Sequence, residues 1–178
     1  MEYILGSRKL ELVAGDITAQ DTEAVVNAAN TQLAPGGGVA GAIHRAAGPG
    51  LWKECSGLGG CPTGEARISK GYNLPNRYVI HTVGPVYRAL PEDPVMLASC
   101  YRSSLKLAEK YEIKTISFPA LSTGIFGYPL RDAATVALST IIDYLKTSSV
   151  ITLVRMVLYD EASLRVHETV LKELTGGK

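Results

Sequence analysis

The chain has little of several things, and each shortage excludes a class of protein. Among its 178 residues there are three cysteines, Cys55, Cys61 and Cys100. An odd count, with no basic-then-apolar leader, argues against a disulfide-stapled secreted scaffold and for a reduced, cytoplasmic protein. Cys55 and Cys61 could pair geometrically, but free thiols are the expectation. No CxxC and no HxxxH spacing occurs, which argues against a zinc site. No apolar run approaches the length of a membrane span. Excess charge is missing too. Eighteen basic against 17 acidic residues leave a formal net charge of +1. Such a balance carries no electrostatic footprint for nucleic acid or an anionic membrane. The GxxxxGK[ST] signature of P-loop nucleotide hydrolases is absent.

What is present is ordinary in bulk and specific in detail. A hydrophobic content of 46% on 178 residues suits one domain spanning 1–178. A chain of this length buries roughly 70% of its unfolded surface. Strand-like segments run Lys9 to Ala14, Ala24 to Asn27, Tyr78 to Thr82, Thr115 to Phe118 and Ile151 to Tyr159. Tyr3 to Leu5 and Ala66 to Ser69 read as further short or edge strands. Helix-like segments run Val39 to Ala47, Leu51 to Leu58, Pro94 to Tyr111, Pro129 to Leu145 and Ser163 to Leu174. In the fourth, Ala133, Val136, Ala137, Ile141 and Tyr144 share a face at helical spacing. In the fifth, Val166, Val170 and Leu174 do so. Alternation of this kind predicts an α/β domain with helices on both faces of a largely parallel sheet. Gly84 to Pro94 reads as a surface loop, and Thr175 to Lys178 as a frayed tail.

In open α/β sheets ligands bind beyond the carboxyl ends of strands. Four segments converge there: Gly15 to Thr18 (GDIT), Val26 to Gly48, Ala120 to Gly127 (ALSTGIFG) and the strand end at Tyr159. The ALSTGIFG run is uncharged and sits between a strand and a helix. Its backbone N–H groups can cradle a diphosphate without a lysine. Gly36 to Gly41 formally matches GxGxxG. Eight residues separate it from the strand, however, and no acidic residue follows at the required distance, so a dinucleotide fold is not expected. The run instead suits close wrapping of a sugar and phosphate, then opens a helix whose free N–H groups face an anion. A flexible surface loop is the competing reading.

Single residues carry two readings each. Asp16 is an N-cap or an acceptor for an adenine amino group. Asn30 is a turn former or a ligand for sugar hydroxyls. Tyr159 is rim packing or a platform for adenine. His44 lies one turn after Ala40 on the same helix face and reads as a structural residue first and a catalytic one second. His81 is expected to bond backbone groups in the interior, and His167 to be exposed. Ser122 and Thr123 lack any nucleophile elbow, so their hydroxyls point to phosphate binding.

Taken together, GDIT, VNAAN, GGGVAGAIHRAAGP, GYNLPNRYVIHTVGP, FPALSTGIFGYP and VLYD resemble a macrodomain over nearly the whole chain, Lys9 to Leu174. The IHRAAGP and YVIHTVGP stretches are most similar to the MacroD-type branch. The Tyr-Asp strand ending is similar to archaeal macrodomains. The resemblance implies a three-layer α/β/α sandwich with a mixed, mostly parallel sheet of about six strands, and a cleft for ADP-ribose. It implies no cofactor and no metal. By this resemblance Asp16 bonds the adenine amino group, helped by the Ile17 backbone. Asn30 contacts the distal ribose, which Gly37, Gly38 and Val39 wrap together with the nearer phosphate. Ser122, Thr123, Gly124, Ile125 and Phe126 cradle the diphosphate, and Tyr159 covers the adenine.

One departure matters. MacroD-type hydrolases carry an aspartate directly after the GGGV run, where this chain has Ala40. A methyl group neither accepts a proton nor bonds a hydroxyl. A glutamate- or aspartate-linked ADP-ribose leaves as a carboxylate, whose parent acid has a pKa of about 4. It departs without a general acid, given a placed water and a restrained sugar held by Asn30 and Gly38. The resemblance therefore implies hydrolysis of carboxylate-linked mono-ADP-ribose from proteins, together with O-acetyl-ADP-ribose deacetylation. The alternative is a reader of ADP-ribosylated proteins without turnover. Poly(ADP-ribose) cleavage is not expected, because no Gln-Glu-Glu signature occurs.

Overall fold

The computed structural model describes residues 1–177. Seven strands form one sheet: β1 (Glu2–Leu5), β2 (Arg8–Ala14), β3 (Ala24–Ala28), β4 (Ala66–Lys70), β5 (Tyr78–Thr82), β6 (Thr115–Phe118) and β7 (Leu153–Leu158). Five helices accompany them: α1 (Gly38–Ala47), α2 (Pro49–Cys55), α3 (Glu92–Lys110), α4 (Leu130–Thr147) and α5 (Glu161–Thr175). The strand order is β1-β2-β7-β6-β3-β5-β4. The inner pairings are parallel, and the two edge strands run antiparallel to their neighbours. The sheet has seven strands rather than about six because both short edge segments, β1 and β4, pair fully.

Period-two alternation builds the three layers. Val25, Val79 and Val157 point to one face, where they pack with Ile43 and Ala47 of α1 and Leu51 of α2. Their chain neighbours Val26, Ile80 and Met156 point to the other, against Leu97 and Leu105 of α3, Leu138 of α4 and Leu171 of α5. Inner strands covered on both faces read as unbroken apolar runs, as AVV and YVI do.

Helix boundaries depart slightly from the sequence reading. Helix α2 starts at Pro49 and stops at Cys55, and α3 starts two residues before Pro94. Pro129 is the N-cap of α4. Helix α5 starts at Glu161, because Asp160 Oδ1 accepts from Ser163 N at 2.8 Å. Its buried stripe is His167, Val170 and Leu171, not Val166, Val170 and Leu174, and Leu174 is exposed. His167 is therefore buried, against the expectation of exposure. Its Nδ1–H donates to the Ser163 carbonyl at 2.9 Å, which lets a polar ring sit in the apolar stripe. Thr175 still belongs to α5 and Gly176 caps it, so the helix reaches into the expected tail, of which Lys178 lies outside the described residues.

Candidate functional site

A cleft of about 940 Å³ opens beyond the carboxyl ends of β2, β6 and β7. Its walls are Gly15, Asp16 and Ile17 after β2, Pro119 to Ala120 with Thr123 and Gly124 after β6, and Tyr159 and Asp160 after β7. Gly38, Val39, Ala42 and Arg45 of α1 close the fourth side.

Asp16 serves as an N-cap and still has a free oxygen. Its Oδ1 accepts from Thr18 N at 2.9 Å and from Thr18 Oγ1 at 2.7 Å, starting a 3₁₀ turn over Ile17–Ala19. The Thr18 hydroxyl, and then its N–H, hold the Asp16 carboxyl below its ordinary range. Among the described residues nothing bonds Oδ2, so one oxygen stays available in the cleft.

Across the cleft, the glycine loop rests on α1. Any Cβ at Gly41 would run into the Gly36 carbonyl oxygen, so only glycine permits this approach. No side chain caps α1, and its first-turn N–H groups remain free to meet an anion. The loop after β6 is held by its own backbone: Tyr128 N donates to Ser122 O at 2.9 Å and Gly127 N to Gly124 O at 3.0 Å. Ser122 sits in the left-handed region at φ 66° with its hydroxyl buried and unpartnered. It lies against Gly84, where a Cβ would meet Ser122 Oγ. Ile125 at the loop tip is fully exposed, and Tyr159 is 93% exposed.

A family model described as Macro domain matches residues 26–137. The chain belongs to the macrodomain family. A macro domain-containing protein of Methanosarcina mazei is 48% identical over 167 residues, covering 93% of this chain and 89% of that protein. The ADP-ribose glycohydrolase MACROD2 of Xenopus laevis is 56% identical over 140 residues, covering 78% of this chain. This macrodomain spans only about a third of that relative, 34% of its length. A solved Oceanobacillus iheyensis macrodomain with ADP superimposes with a TM-score of 0.96 at 43% identity, over 100% of this chain and 97% of that one.

The macrodomain's remaining candidates do not line the cleft wall. Asn30 Oδ1 accepts from Ala34 N and its Nδ2 donates to Ala34 O, both at 2.9 Å, so the amide fixes its own turn. Its second amide hydrogen and one remaining oxygen lone pair are what a sugar could use. Gly37, Ser122, Ile125 and Phe126 adjoin the cleft without forming its wall. Ala40 and His44 are buried at 6% and 7% exposure. Neither ring nitrogen of His44 has a partner, and burial lowers its pKa. His81 was expected to bond backbone groups and instead bonds side chains. Asn27 Nδ2 donates to His81 Nδ1 at 3.1 Å, which puts the proton on Nε2, 2.8 Å from Ser69 Oγ and 3.5 Å from Cys55 Sγ. All three cysteines are free and buried.

The sequence reading passed over Arg45. It is the one cationic side chain in the cleft wall among the described residues. Its signal was available: Val39, Ala42 and Arg45 recur every third residue on one helix face. Among the described residues no group of His, Cys, Asp and Glu gathers as a metal would require, and no helix is long and apolar enough to cross a membrane.

Proposed function

We propose that this macrodomain binds ADP-ribose in the cleft and hydrolyses mono-ADP-ribose from aspartate and glutamate side chains of proteins, with O-acetyl-ADP-ribose as a further substrate of the same ester class. The carrying observation is the acid inventory of the cleft: Asp16 and Asp160 are the carboxylates in its wall, each capping a helical turn, and among the described residues no Glu, His, Cys or Lys joins them. Its two wall carboxylates, Asp16 and Asp160, are both held below their ordinary pKa, Asp16 by Thr18 and Asp160 by the backbone and side chain of Ser163. Neither keeps a proton at neutral pH to give to a leaving group. A linkage through serine or arginine leaves as a strong base and needs that proton, whereas a carboxylate does not.

The adenine amino group meets Asp16 Oδ2 and the adenine face meets Tyr159. The diphosphate lies between the α1 N-terminus and the Thr123–Gly124 backbone. Asn30, Gly37, Gly38 and Val39 restrain the distal ribose. A diphosphate oxygen of the substrate orients the attacking water, the task Ala40 cannot perform. The MACROD2 similarity and the likeness to a macrodomain solved with ADP support this reading. Three free thiols support a reducing, cytoplasmic setting.

A second reading, an ADP-ribose reader without turnover, draws on the Ala40 methyl and the unpartnered ring of His44. Timed mass spectrometry on a peptide with one glutamate-linked ADP-ribose separates the two. The expected result is unmodified peptide plus free ADP-ribose above the protein-free rate, with serine- and arginine-linked controls intact. A modified peptide that stays bound and unchanged would establish the reader instead.

A further inference from the structure

A second cavity, about 520 Å³, lies on the other side of the β6–α4 loop. Tyr87, Leu90, Pro91 and Pro94 form one wall, and Tyr128 with Asp132 of α4 the other. The two tyrosine rings pack together, centroids 4.8 Å apart and tilted by 54°. Asp132 is exposed at the rim and has no ion pair or hydrogen bond among the described residues; its neighbour Arg131 is engaged by Glu173 instead. The field of this carboxylate reaches the cavity. Burial first, then the charges of Asp93 and Asp132, push the Tyr128 phenol up. Asp93 is already satisfied by the N–H groups of Arg88 and Leu90 at 2.9 and 3.1 Å, which leaves Asp132, whose charge otherwise acts on the neighbouring Arg131, as the carboxylate without a hydrogen bond.

The cavity is mechanically continuous with the cleft. Tyr128 N donates to Ser122 O, and Tyr87 N to Phe126 O, each at 2.9 Å. The loop that would cradle the diphosphate thus also carries the tyrosine pair.

We propose that this cavity binds an arginine side chain of the ADP-ribosylated protein, close to the modified carboxylate. The assignment rests on the proposed function for the source of that arginine, not for the chemistry of the cavity. Tyr128 is 5% exposed and backs the cavity, so the platform is the half-buried Tyr87 ring, on which a planar guanidinium lies flat, while proline and leucine walls take its methylene stem. Its fork pairs with a carboxylate through two parallel hydrogen bonds, which the point charge of lysine cannot match. An apolar side chain would leave Asp132 unpaired.

The probe is acetyl-arginine-N-methylamide, titrated into ¹⁵N-labelled protein, with the lysine and norleucine analogues as controls. Saturable shifts at Tyr87, Tyr128 and Asp132 are expected, with arginine binding strongest. Asp132→Asn, an exposed change that keeps the fold, should weaken arginine binding about 2- to 5-fold. Equal shifts from norleucine, arginine shifts unchanged by Asp132→Asn, or no shifts at these residues would each overturn the proposal. ADP-ribose is then titrated into the same sample. Failure of the cleft to respond would strike the proposed function alone. With the glutamate-linked peptide, arginine near the modified residue should lower the KM about 5- to 10-fold relative to glycine. An equal KM at every neighbouring position would remove the protein substrate as the source of the arginine.

Discussion

Asp16 Oδ1 accepts two hydrogen bonds from Thr18, one from its amide and one from its hydroxyl, so capping and ligand recognition fall on different oxygens of one carboxylate. The cap holds the group ionised and fixes its direction, which is what recognition of an amino group needs.

Asp16→Ala removes both roles, and two measurements separate them. Loss of the cap should cost about 1 kcal/mol in urea unfolding. Loss of the charged acceptor should weaken ADP-ribose binding about 10-fold or more in calorimetry, in line with roughly 1.5–3 kcal/mol for a hydrogen bond to a charged group. A stability loss with unchanged affinity would leave Asp16 a cap and nothing more.

Tyr159 is almost entirely solvent-exposed, so its ring contributes little to the fold. Tyr159→Ala should leave the unfolding midpoint within about 0.5 kcal/mol of the parent. ADP-ribose affinity should fall roughly 5- to 100-fold, the range for losing one aromatic–base stack. Equal affinities would move the adenine elsewhere.

Ala40→Asp tests the missing carboxylate. The position is in the first turn of α1, where negative charge is favoured, and one turn from the unpartnered ring of His44. Under the hydrolase reading kcat should rise about 10-fold or more, within the range of general base catalysis. Burial of the new carboxylate should cost about 1–3 kcal/mol of stability. An unchanged kcat in a folded variant would put position 40 outside the chemistry.

Three buried histidines make stability depend on pH. Burial lowers the folded pKa of His44 and His167 and takes His81 down to about 3. Unfolded histidines titrate at about 6.5, so below that pH the unfolded chain binds more protons than the native one. Stability is full above pH ~6.5 and declines as pH falls toward the folded values, by at most about 1.4 kcal/mol per pH unit for each histidine that stays neutral. Carboxylates lowered by folding act only below about pH 4.5. Urea midpoints between pH 7.5 and 5 therefore isolate the histidines and should fall steadily, with a flat profile contradicting this account.

Much of this molecule was legible from local sequence alone. Unbroken apolar runs such as Ala24 to Val26 and Tyr78 to Ile80 specify inner strands, and the glycine-rich turn after the first marks the cleft's edge, because both signals depend only on backbone sterics and burial. In α4 helical spacing found Ala133, Ala137 and Ile141 of the core face, while Val136 and Tyr144 are half-buried at its margin and Leu138, Ile142 and Leu145 complete it. The tertiary structure decided what rests on contacts distant in the chain. In α5 the buried stripe is rotated onto His167, since packing against the sheet, not the spacing of valines, selects the face. Whether Asp16 was a cap or a ligand group could not be read from its neighbours, because the answer lies in the orientation of two oxygens. Arg45 entered the cleft, and His44 lost every partner, only when α1 was laid against the loops after β2 and β3. The second cavity owes its existence to Tyr87 and Tyr128, 41 positions apart in the chain, which meet because the Tyr87 N–H to Phe126 carbonyl bond ties one loop to the other while the Tyr128 N–H to Ser122 carbonyl bond folds the second loop on itself.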